Sequence, residues 1–216
     1  MRKEIAVVVC LTELSVETRK GLAKECSSPD VLTILAEDSD KIVRAEIALN
    51  PALSDVDQIK LAKDTYKTVR RNLAKRPNLC LQSQEILAKD KDERVLVSLV
   101  RNPDTYPSIR DALAFKESTP FIAKLAIAGT PLSSKLTLDY LANSAMKLGI
   151  LEILAEVVAN PITDPETVDT IINSVDNDYV WRSAMNRQRE TKNLFDSTVK
   201  KLESRETPYK TYGVYL

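Results

Sequence analysis

Residues 61–77 read LAKDTYKTVRRNLAKRP, from Leu61 to Pro77, and this phrase recurs along the chain with a fixed spacing. Its opening Leu-Ala pair appears at Leu35-Ala36, Leu61-Ala62, Leu87-Ala88 and Leu113-Ala114, each 26 residues after the last. Eight residues beyond each leucine stands an apolar anchor, Val43, Val69, Val95 and Phe121. Further on come Ile47-Ala48, Leu73-Ala74, Leu99-Val100 and Leu125-Ala126. Three units close on a polar residue and a proline: Asn50-Pro51, Arg76-Pro77 and Asn102-Pro103. A period between 20 and 50 residues signals stacked repeats, each too small to bury its own apolar face.

Within one period the pattern reads as two short helices. Ser54 is placed to cap the first, on which Val56, Ile59 and Ala62 are expected to share an inward face. Asp64-Thr65 interrupts it, and the second helix carries Val69, Leu73 and Ala74 inward until Pro77 stops it. Helices this short are unstable alone, so the stripes must pack against neighbouring units. The period loosens toward the C-terminus, with Leu141-Ala142 following Leu113 by 28 residues and Ile171-Ile172 following Leu141 by 30. Thr163-Asp164-Pro165-Glu166 reads as a helix start with a capping-box threonine. The expected organisation is a repeat domain over residues 1–187, with an N-terminal cap over 1–28 and repeats over 29–187. A C-terminal helix and tail follow over 188–216. The fold class is all-α: a right-handed α-solenoid of about six short helix-pair repeats.

The string L-A-x-D-x-x-x-x-V-R-x-x-L-A-x-x-P, carried by Leu61-Ala62-Lys63-Asp64, Val69-Arg70 and Leu73-Ala74 to Pro77, resembles the leucine-rich repeat variant family of HEAT-like solenoids. The resemblance spans roughly residues 18–187 and implies architecture rather than activity. A founding member of that family carries a cysteine-bound iron–sulfur cluster ahead of similar repeats. Here Cys10, Cys26 and Cys80 form no close-spaced ligand set, so no cluster is expected. HEAT-like alkylpurine DNA glycosylases share the helical rhythm, but no motif carries a catalytic residue across.

The composition narrows the chemistry. The 216 residues include no histidine, which removes the commonest general base and metal ligand near neutral pH. The four glycines stand apart, so no phosphate-cradling loop exists. The acidic pairs Asp38/Asp40, Asp55/Asp57, Asp90/Asp92 and Asp176/Asp178 fall at helix starts or joints, where aspartate caps and complements the helix dipole. No enzymatic activity, cofactor, metal or small-molecule substrate is therefore expected. Three dispersed cysteines suit a reducing, cytoplasmic compartment. The apolar run Ile5 to Leu11 is too short to span a membrane, and Glu4 and Glu13 bracket it.

Charge is balanced at 31 basic against 31 acidic residues, yet it is segregated. Lys60, Lys63, Lys67, Arg70, Arg71, Lys75 and Arg76 face only Asp64, while nine carboxylates between Glu117 and Trp181 meet three lysines. Arg44 and Arg70 share a repeat position and should stack on one ridge, which Leu96 and Ile122 end. Trp181, the sole tryptophan, is expected in the core. The function these features favour is a non-enzymatic scaffold that binds another macromolecule, with a protein partner ahead of a nucleic acid. Arg44, Lys67, Arg70 and Arg71 are the expected contact ridge, and the terminal Tyr209, Tyr212 and Tyr215 a second candidate. Lys67, Arg70 and Arg71 flank the apolar stripe, so reversing their charge is expected to leave folding intact.

Overall fold

The computed structural model describes residue 11 and residues 13–189, and among these it is helical throughout, with no strand. Twelve helices follow in order: α1 (Val16–Glu25), α2 (Pro29–Ala36), α3 (Lys41–Ile47), α4 (Asp55–Leu61), α5 (Lys67–Lys75), α6 (Leu81–Leu87), α7 (Glu93–Arg101), α8 (Pro107–Phe115), α9 (Phe121–Gly129), α10 (Lys135–Leu148), α11 (Leu151–Ala159) and α12 (Pro165–Ser174). Residues 178–189 form a further helical segment. The odd-numbered helices pack in sequence, α1 on α3, α3 on α5 and onward to α11, making one layer. The even-numbered helices lie against them in a second layer, where α2 meets α4, α4 meets α6, and α10 meets both α8 and α12.

Each layer turns its leucines toward the other. Leu35, Leu61, Leu87, Leu113 and Leu141 are all buried, as are Val43, Val69 and Val95 from the facing layer. Burying one such side chain contributes about 1.5–3 kcal/mol, which offsets the weak intrinsic stability of helices only seven to nine residues long. The small residue after each leucine, Ala36, Ala62 and Ala114, lets the layers approach closely.

The period breaks one unit earlier than its apolar pattern suggests. Phe121 is 46 % exposed, and the position of Val95 is taken by the fully buried Ala123. Ile127-Ala128, rather than Leu125-Ala126, replace Leu99-Val100 in the core. Two residues have lengthened α8, which runs nine residues where α6 runs seven, while the connection that follows covers 116–120 as it covers 88–92 one unit earlier. The next even-numbered helix grows further, so that α10 runs 14 residues and the connection after it shrinks to 149–150. Gly149 closes α10 at φ 68°, with the Ile150 N–H bonding to Ala145 O and the Gly149 N–H to Met146 O. This paired closure needs a left-handed residue, which glycine adopts without a Cβ penalty.

Two local expectations also fail. In α4 Val56 is exposed, at 65 %, and the buried residues are Asp57, Gln58 and Leu61. The Asp57 carboxylate receives Ser54 Oγ at 2.7 Å and Thr33 Oγ1 at 2.8 Å from α2, and this polar pairing sets the helix rotation. Thr163 does not cap α12. Its hydroxyl donates to Val157 O at the end of α11, just as Thr105 does to Leu99 O and Ser133 to Ile127 O.

Candidate functional site

Arg44 and Arg70 look outward in the sequence but are turned along the stack. Arg44 donates through Nε to Asp64 Oδ2 at 2.6 Å and through Nη2 to Asp64 Oδ1 at 3.3 Å. Arg70 repeats this on Asp90, at 2.6 and 3.0 Å, and Arg19 does so on Asp38, at 2.7 and 3.2 Å. In each case Nη1 also donates to a backbone carbonyl at the preceding turn: Leu14, Asp38 or Asp64. The aspartate Oδ1 in turn accepts the N–H two residues on, from Asp40, Tyr66 or Asp92. The Asp64 and Asp90 hydrogen bonds hold the Arg44 and Arg70 guanidinium groups above their ordinary pKa, against the opposing pull of partial burial. Arg44 also stacks 5.5 Å from the Tyr66 ring. The clamp stops where both halves vanish together: Leu96 takes the arginine position, and Ser118, two residues before the α9 N-cap as Asp90 is before that of α7, takes the place of the aspartate.

A second ladder seals the helix ends. Asn50 Nδ2 donates to Ala23 O and Cys26 O, Asn102 Nδ2 to Ala74 O and Arg76 O, and Asn160 Nδ2 to Ala128 O and Thr130 O. Each asparagine thereby satisfies orphan carbonyls at the C-terminus of the preceding odd-numbered helix. Arg76 occupies the same position between Asn50 and Asn102, and its Nη2 donates to Asn50 O at 3.0 Å. It is 1 % exposed, and its Nε and Nη1 have no hydrogen-bond partner. Arg110 and Arg187 clasp the ends of α7 and α11 in the same manner, on Asn102 O and Thr163 O. Burial pulls the pKa of all three below that of a free guanidinium.

The expected contact ridge therefore divides. Arg44 and Arg70 tie neighbouring units together, and reversing Arg70 would break its pair with Asp90 rather than leave folding intact. Lys67 stays at the surface, 3.4 Å from Asp92. Arg71 faces elsewhere, into a hollow of about 770 Å³ on the outer face of the odd-numbered layer. That hollow runs from α5 across α7 and α9 to α11. Arg71 and Lys75 from α5 and Arg94 and Arg101 from α7 line one end, and all four are exposed with no ion pair or side-chain hydrogen bond among the described residues. Glu93 is the one carboxylate beside them. Ile122 and Leu125 of α9 give an apolar middle, and Glu156 of α11 lies at the far end.

Gly129 shapes that far end. A Cβ there would lie 2.5 Å from Glu156 Oε2, so only glycine lets the carboxylate lie across the end of α9. Glu156 is half-buried there, and Glu152, one turn earlier on α11, is exposed. The face thus runs basic, apolar, acidic along the stack. Of the contact residues expected from the sequence, the hollow includes Arg71 alone. Tyr209, Tyr212 and Tyr215 fall outside the described residues. Trp181 is 53 % exposed on the 178–189 segment rather than buried, with Arg182 at 3.9 Å from Asp178. Lys75 and Arg101 stand 26 residues apart, so the repeat itself held a signal for this face. No helix among the described residues is long and apolar enough to cross a membrane. No protein-family model matches the chain, and neither does any curated protein or solved structure.

Proposed function

We propose that the chain is a non-enzymatic binding scaffold that engages a protein partner through the hollow spanning α5 to α11. The observation that carries this reading is the set of four unpaired cations, Arg71, Lys75, Arg94 and Arg101, held beside an apolar strip in a hollow whose lining carboxylates are Glu93 and Glu156. Side chains that fold the molecule are paired along the stack, as Arg44 and Arg70 are; side chains left without partners on one concave face are available to a ligand. The helix pairs, their 26-residue period and the motif around Leu61 to Pro77 support a right-handed α-solenoid of about six repeats, akin to the leucine-rich repeat variants. Cys26 and Cys80, both free thiols, suit a cytoplasmic setting.

Nucleic acid is the second reading, because the same four cations could neutralise phosphates. Glu152 and Glu156 weigh against it, since a backbone running on along the face would meet two carboxylates. The two readings separate by cross-linking in extract of the native host at about 150 mM salt. A protein cross-linked to the wild-type chain and lost from S98W, which fills the hollow, supports the leading reading. Tight RNA or DNA binding at that salt, removed by R71E/R101E and steeply salt-dependent, would replace it.

A further inference from the structure

The order of charge along the hollow says more than that a partner binds. The cationic end, the apolar middle and the acidic end lie on three successive steps of one layer, α5 and α7, then α9, then α11, each helix packed directly on the next. Packed helix axes stand about 8–10 Å apart, so Arg71 on α5 and the Glu156 carboxylate, which lies over the end of α9, are separated by about 16–20 Å across the layer. An extended chain rises about 3.3 Å per residue and covers that span in about six residues. Helical peptide would need about twice as many residues for the same length. The hollow is lined by exposed side chains over most of its length, which suits a chain laid along it better than an enclosed small molecule.

We propose that the hollow takes an extended peptide segment of the partner protein whose residues run acidic, apolar, basic over about six positions. This rests on the reading that the hollow is a protein-binding face. The acidic side chains of the peptide meet Arg71 and Arg101, with Lys75 and Arg94 around them. An apolar side chain two or three positions on covers Ile122 and Leu125 of α9. A lysine or arginine two or three positions further meets Glu156, whose carboxylate lies against Gly129 and has no cation partner among the described residues. The complementarity is directional: an all-acidic segment meets repulsion at α11, and an all-basic one at α5 and α7. A nucleic-acid strand behaves as the all-acidic segment does.

The test is selection of displayed random ten-residue peptides on the purified full chain at about 150 mM salt, in parallel on R71E/R101E, E156K and S98W. The wild type should enrich acidic–apolar–basic peptides in that spacing. R71E/R101E should enrich peptides whose acidic end has become basic, and E156K peptides whose basic end has become acidic. A wild-type winner, made synthetically and followed by fluorescence anisotropy, should lose about tenfold or more in affinity on either reversal, since each turns attraction into repulsion. Arg71 and Arg101 are exposed and Glu156 is half-buried, and thermal melting of each variant verifies that it is folded. Enrichment that S98W abolishes, but that has no charge order or ignores both reversals, overturns this inference and leaves the protein-binding reading standing. No enrichment, enrichment that survives in S98W, or displacement of the winning peptide by single-stranded RNA or DNA overturns both.

Discussion

Removing Arg70 or Asp90 singly should cost more than removing both. Arg70 makes two bonds to the Asp90 carboxylate and donates from Nη1 to Asp64 O at 2.7 Å and Thr65 O at 3.2 Å. In R70L, Asp90 is left with a side chain only 4 % exposed and the Asp92 N–H as its remaining partner. Stranding a mostly buried carboxylate costs about 3 kcal/mol, at the low end of the range for broken buried pairs because a shift of the turn readmits water. In D90L, Arg70 keeps its carbonyl acceptors and is 18 % exposed, so about 2 kcal/mol is expected. In the double variant R70L/D90L neither charge is stranded and two apolar side chains meet, for a net loss of about 1–2 kcal/mol. Urea unfolding followed by far-ultraviolet circular dichroism, closed as a double-mutant cycle, should return a coupling of about 3 kcal/mol. Additive losses, with the double variant as unstable as the two singles together, would refute the clamp as a joint between units.

Arg76→Asn, which installs the residue found at the same position in the flanking units, should leave stability unchanged or raise it by about 1 kcal/mol. It withdraws a buried charge whose Nε and Nη1 lack partners, and a clear loss in the urea midpoint would show those groups to be satisfied in solution. Asn102→Ala removes two buried bonds to Ala74 O and Arg76 O together with the acceptor for the Asp104 N–H, and should cost about 2–3 kcal/mol in the same assay. Leu61→Ala and Leu87→Ala, at 1 % and 0 % exposure, should each cost about 2–5 kcal/mol, read as a drop in melting temperature. Asp92 is held below the usual carboxylate range: partial burial pushes it up, but the Arg94 N–H and the Lys67 ammonium outweigh this. A lowered folded value gives stability that is present above about pH 4 and fades as acid protonates the folded form, so the deficit of Asp92→Ala should be full at pH 7 and shrink in titrations below pH 4.

The repeat and its leucines were legible because burial at a fixed spacing leaves an apolar mark on the sequence. Phe121 misled because it keeps the expected distance from Leu113 while α8 has lengthened by two residues, and only packing decides between Phe121 and Ala123. Asp40 and Asp92 were readable as caps, and each accepts the N–H two residues on, from Ile42 and Arg94. Asp38 and Asp90 were read the same way, yet they also reach back to an arginine of the preceding unit, a partner that lies about 20 residues away and is invisible to local capping rules. One signal of it was present: Arg70 and Asp90 both have counterparts in the earlier units and both lose them at Leu96 and Ser118. The acidic wall at Glu156 could be suspected from segment charge, but its placement opposite Arg101 depends on which helix faces the layer carries outward.

The clamp gives each early unit a plug at one edge and a socket at the other. A unit such as residues 53–78 carries the aspartate that Arg44 reaches from behind and the arginine that reaches forward to Asp90, so a tandem copy inserted after residue 78 would find both mates already in place. The array before Leu96 is thus made of interchangeable tiles, and lengthening it asks for no new chemistry. The tile after that seam offers Ser118 where a socket is needed. A copy of it moved forward would leave a waiting guanidinium with no carboxylate, and the row would part at that edge.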